Sequence, residues 1–87
     1  MAFGATEDWE DRAFRLSQGR RRTGLTVQEV ARKAGYDRTT ISTYESRRAK
    51  PSDEALVRWE AALIALARER WVNAQVVLND LGAGRAG

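Results

Sequence analysis

The sequence predicts an all-α fold on three observations. Apolar residues recur at helical spacing from about residue 9 to residue 81, no segment shows the strict alternation of a half-buried strand, and the single proline, Pro51, falls between helical stretches. The chain has 87 residues and a mass of 9.8 kDa, room for one small domain. Its 43% hydrophobic and 31% charged residues are the balance of a folded soluble chain rather than a disordered one. Cysteine and histidine are both absent, which excludes disulfide scaffolds, zinc fingers, cysteine hydrolases and histidine-based triads. The longest unbroken apolar run covers only residues 61–67, against about 20 for a membrane span. No secretory signal is read at the start, so the expected location is cytoplasmic.

Residues 1–5 read as a flexible tail, 6–81 as the folded domain and 82–87 as a second flexible tail holding three of the seven glycines. The first helix is expected after Thr6, with Glu7 and Asp8 at the positive end of its dipole. Trp9, Ala13, Leu16 and Arg20 form its inner stripe, Phe14 lies on an adjoining one, and Gly24 is its stop. The second helix opens on Thr26-Val27-Gln28-Glu29, a capping box, buries Val30, Ala31 and Ala34, and ends at Gly35. Asp37 caps a third helix reaching about Ser46, with Ile41 and Tyr44 turned inward. The remaining positions of that helix (Arg38, Thr39, Thr40, Ser42, Thr43) are short or forked and polar, and most are mediocre helix formers, so stability does not explain them.

Ser52 caps the last helical stretch, in which Leu56, Trp59 and Leu63 make one stripe. Ile64, Ala67, Trp71, Ala74, Leu78 and Leu81 make a second, spaced alternately by three and four residues. No glycine or proline interrupts 52–81, so either one helix of about 45 Å is present or a break falls near 68–73. The second stripe is expected to hold two copies together as a dimer interface, with Trp71 as anchor. The alternative is that it folds back over the first helix as core.

The positive charge is segregated. Residues 1–19 carry a net of −2 and residues 51–87 a net of −1, whereas 20–50 carry +6. Seven of the nine cations in that middle third are arginine, whose planar fork suits phosphates and guanine edges. Within it, residues 27–46 set a helix, a sharp turn and a second helix in about twenty positions. Ala31 stands where the two helices would cross, and Gly35 occupies the turn. With Val30, Ala34, Tyr36, Ile41 and Tyr44 as the shared wedge, the spacing is that of a helix-turn-helix, whose second helix has one face free for a major groove.

Gly24-Leu25-Thr26, Val30-Ala31, Gly35, Thr40-Ile41-Ser42, Tyr44-Glu45 and Lys50-Pro51-Ser52 together resemble the lambda-repressor-like, Cro-type (XRE) DNA-binding domains, over roughly residues 16–66. The resemblance implies a five-helix domain, here with an extended C-terminal helix, that binds a palindromic operator in double-stranded DNA as a homodimer. By matching position, Arg38, Thr39, Ser42 and Thr43 are expected to read bases. Gln28, Asp37, Thr40, Arg47, Arg48 and Lys50 are expected at phosphates. Arg20 and Glu45 match a structural ion pair between the first and third helices, with Arg20 also in reach of a phosphate.

Two departures stand out. Val27 replaces a frequent glutamine, with Gln28 one place later, and Arg47 replaces a frequent glycine, so the turn after the third helix is expected to differ. The function implied is a sequence-specific transcriptional regulator of repressor or Cro type, in a bacterial cell or phage-infected host. The alternative is a protein-interaction module, such as an antitoxin or antirepressor, using the C-terminal helix on a second protein chain. No enzyme is expected, because nothing pairs a nucleophile with a base and no glycine loop cradles phosphate. No metal, organic cofactor or membrane is expected either.

Overall fold

The computed structural model describes residues 8–86, with side chains described through residue 79. Four helices make up this part: α1 (Trp9–Arg22), α2 (Val27–Ala34), α3 (Arg38–Glu45) and α4 (Asp53–Ala86). The expected five is therefore corrected to four. The C-terminal part is one uninterrupted rod of 34 residues, about 51 Å at 1.5 Å per residue. With no glycine before residue 82 and no proline after Pro51, nothing in that stretch removes a backbone donor or favours a bend. The backbone of 82–86, read from its glycines as tail, continues the same helix. No helix among the described residues is long and apolar enough to cross a membrane.

α1 starts at Trp9, with Asp8 in extended conformation at the cap position, so the start expected after Thr6 is moved; Thr6 and the tail at 1–5 lie outside the described residues. Glu10 and Asp11 sit in its first turn and Arg20, Arg21 and Arg22 in its last, each sign complementing the helix dipole. The capping box of α2 is complete. The Glu29 amide donates to Thr26 Oγ1 at 3.1 Å, and the Thr26 amide donates to Glu29 Oε1 at 2.8 Å. α2 ends at Gly35, whose φ of 84° lets the amides of Gly35 and Tyr36 both reach the Ala31 carbonyl at 2.9 Å. Asp37 occupies the cap position of α3, but its side chain makes no capping hydrogen bond. Ser52 does cap α4, accepting from the Ala55 amide at 3.1 Å.

The core lies where α1, α2 and α3 close on the first half of α4. Ala13, Leu16, Val30, Ala31, Ile41 and Leu63 converge on Trp59, which is fully buried. α1 approaches α4 so closely at Gly19 that an added Cβ would stand 3.2 Å from Leu63 Cδ2. Past Leu66, the last described residue packed against this core, the ties of α4 to the body among the described residues are at its surface. Lys33 pairs with Glu69 at 3.1 Å, and Arg70 reaches Glu29 at 3.3 Å and the Thr23 carbonyl at 3.4 Å.

Candidate nucleic-acid interface

α3 divides into two faces. Ile41 is fully buried and Tyr44 half-buried, its ring 6.0 Å from that of Trp59, which fixes the helix against α4. On the other face Arg38, Thr39 and Ser42 are exposed and Thr43 is half-exposed. With Ser46 and Arg48 these four line one open depression of about 370 Å³. All six lining residues carry hydrogen-bonding groups, and two are cationic. Thr43 Oγ1 donates to the Thr39 carbonyl at 2.7 Å and Ser46 Oγ to the Thr43 carbonyl at 3.1 Å. Their hydroxyl protons are thus committed to the helix, which leaves Thr43 an acceptor oxygen and a methyl group for contact.

What mounts α3 on α1 is a bidentate ion pair. Arg20 Nε donates to Glu45 Oε2 at 2.6 Å and Nη2 donates to Oε1 at 3.0 Å, while Nη1 reaches the Leu25 carbonyl at 2.8 Å. Ser17 Oγ adds a donor to Glu45 Oε1 at 3.2 Å. The Arg20 and Glu45 side chains are only 14% and 8% exposed, so the pair acts as a shielded bolt between helices rather than a surface contact. All three nitrogens of Arg20 are occupied by the fold itself.

The other cations stand at the start of α3 and in the loop after it. Arg38, Arg48 and Lys50 are exposed and have no ion-pair partner among the described residues. Arg47 differs from them in two ways. Its backbone has φ 62°, the left-handed conformation a glycine takes easily, so the turn expected to change with the loss of glycine keeps a glycine-like backbone. Its guanidinium also sits 6.0 Å from the centroid of the Phe14 ring. Sequence reasoning put Phe14 on an apolar stripe and missed this seat, because the two residues meet only in the folded chain. Ser46 was missed as well; its position one turn after Ser42 was the available signal.

The remaining expected contacts are spread around this centre. Gln28 is exposed in the first turn of α2, Asp37 is exposed before α3, and Thr40 is half-buried. Val27 packs against the core, so the place of the frequent glutamine serves the interior. The Glu29 carboxyl is held below the usual glutamate range, first by the Thr26 amide and further by Arg70. On α4, Trp71 is 65% exposed, Leu78 61% and Ile64 45%; Ala74 is exposed too, and Ala67 is half-buried. Over its described residues the stripe is not packed back over α1 as core. Leu81 falls outside the described side chains.

Set against known protein families, residues 13–68 fit the family model of a helix-turn-helix domain. No curated protein and no solved structure matches the chain.

Proposed function

The chain belongs to the helix-turn-helix domain family, a fold that implies DNA binding, and from that premise we propose that it is a sequence-specific transcriptional regulator of the repressor type. The observation that carries this reading is the free polar face of α3, where Arg38, Thr39, Ser42, Thr43, Ser46 and Arg48 line one open depression while Ile41 anchors the opposite face. A helix so mounted fits the major groove. Arg38, at its N-terminal end, is suited to donating two hydrogen bonds to a guanine edge, and Thr39, Ser42 and Thr43 to meeting neighbouring bases. Arg47, Arg48 and Lys50 grip phosphates at the far end, with Gln28 and Thr40 at the near one, while the Asp37 carboxylate, itself an anion, is unsuited to the phosphate contact its position suggests. Two copies joined through α4 read two half-sites of a palindromic operator, about 34 Å apart, and act by occupying it.

Titration of duplexes from the gene's own upstream region tests the reading. Arg38→Ala lowers affinity for the preferred site about ten- to hundredfold and leaves random duplex nearly unaffected, because a bidentate base contact is worth about 1–3 kcal/mol. Arg47→Ala weakens both alike. Equal losses on both duplexes with Arg38→Ala would remove it from base reading, and no preference for any duplex would remove the regulator. The exposed α4 favours one other reading, an antitoxin or antirepressor that holds a different protein. Stoichiometric co-purification of a second kind of chain would assign α4 to it.

A further inference from the structure

A dimer joined through α4 can form with its two helices parallel or antiparallel, and the choice between them has meaning only if the proposed dimer exists. Residues 71–79, Trp-Val-Asn-Ala-Gln-Val-Val-Leu-Asn, carry no charge at all, although every one of them except Gln75 is exposed. A helix this apolar, projecting past its last ties to the body at Glu69 and Arg70, needs another helix to cover it. The lack of charge favours a second copy, since self-association through it opposes no like charges.

The order of sizes along the stripe then sets the direction of pairing. Ile64, Ala67, Trp71, Ala74 and Leu78 follow the alternating three- and four-residue step of a coiled-coil seam, and large residues alternate strictly with alanines. In a parallel pair each position faces itself. Trp71 would stand against Trp71 and Ala74 against Ala74, crowding one layer and leaving a void in the next. In an antiparallel pair the two kinds of position face each other. Setting Trp71 against Ala74 of the second copy also sets Leu78 against Ala67 and, by register, Leu81 against Ile64.

Both alanines then face a large side chain. Sliding by one heptad in one direction brings Leu78 against Glu60, which pairs with Arg12 at 2.6 Å. Sliding in the other brings Ala67 against Arg85 in the sequence register. At the flanks Arg68 falls beside Gln75 and Arg70 beside Val77, so no like charges meet. The body also leaves space for the incoming end. An apolar groove of about 680 Å³, lined by Thr23, Ile64, Ala67, Arg68, Trp71 and Val72, lies where the Leu78 end of the second copy would enter.

We infer that two copies of this chain pair through antiparallel α4 helices, with the two-fold axis between residues 72 and 73 and Trp71 of each copy seated on Ala74 of the other. The absence of cysteine makes the test direct. Full-length Ala67→Cys and Leu78→Cys chains are mixed in equal amounts, oxidised gently and resolved without reductant. A second mixture, Arg68→Cys with Gln75→Cys, probes the edge of the seam and leaves the Ile64, Ala67, Trp71, Ala74 and Leu78 stripe intact. Sedimentation gives the mass of each.

The expected result is a disulfide between unlike chains in both mixtures, several-fold in excess over like-with-like products. Like-with-like disulfides alone would show a parallel pair, which overturns the orientation and leaves the dimer standing. A dimer mass with no disulfide from either mixture overturns the seam. A monomer mass at every concentration overturns the dimer itself.

Discussion

Glu45 and Arg47 lie two positions apart and answer to opposite rules. Glu45 accepts hydrogen bonds from Arg20 and Ser17 in a shielded site, where an ion pair adds little over a good apolar contact but leaves a large deficit when one partner is removed. Glu45→Ala leaves the Arg20 guanidinium with the Leu25 carbonyl alone, at a cost of about 3 kcal/mol. The shift of the urea midpoint measures it, and a loss under about 1 kcal/mol would place the pair among surface contacts instead. Arg47 is an exposed residue with a left-handed backbone. Its two truncations should therefore rank in the reverse of the order found inside helices, with Arg47→Gly more stable than Arg47→Ala by about 1 kcal/mol. Both lose the stack on Phe14 and the cation, so both bind duplex DNA equally poorly. Thermal melts of the pair decide the ranking. The replacement of glycine at 47 is plain in the sequence, but its consequence is not. Whether a strained cation gains a seat depends on an aromatic ring supplied by another helix, which no local pattern encodes.

The helices that local chemistry specifies are the ones legible before folding. The capping box at Thr26–Glu29 and the left-handed Gly35 each bind residues within four positions of one another, so composition and spacing alone locate α2 and its turn. Asp37 shows the limit of such signals, because it holds the cap position of α3 without making the bond that makes aspartate common there. The expectation of a fifth helix rests on resemblance, against a chain whose own residues from 52 to 81 contain nothing to break a rod. Acid should expose how much the α2 cap contributes. Glu29 has its folded value lowered, so its contribution is complete above the ordinary glutamate value, about 4.3, and disappears as pH falls from there through the folded value. Stability measured by denaturant between pH 6 and pH 3 should fall less steeply for Glu29→Gln than for the parent chain. Parallel pH profiles would mean that other carboxylates dominate the acid response.

At the scale of the molecule, two halves with different duties share one helix. The first half of α4 supplies Trp59 and Leu63 to the core that carries α3, and the second half carries exposed apolar surface away from it, which is why the described part of the molecule is elongated, 55 × 35 × 18 Å. A chain ending at Arg70 keeps that core, the Lys33–Glu69 pair and the Arg70–Glu29 pair, and loses everything from Trp71 onward. It should still unfold cooperatively. Its melting temperature should not depend on concentration, while that of the intact chain rises with concentration, because association stabilises only the folded state that associates. On DNA the two should be equal at a single half-site, since α3 and the loop after it are unchanged. On a full operator the intact chain gains from holding its second reading helix at high local concentration, an advantage of about 10²–10⁴. Equal binding of both chains to the full operator would show that the two reading helices are coupled by some surface other than α4, and would leave the nine uncharged residues of that helix to a different partner.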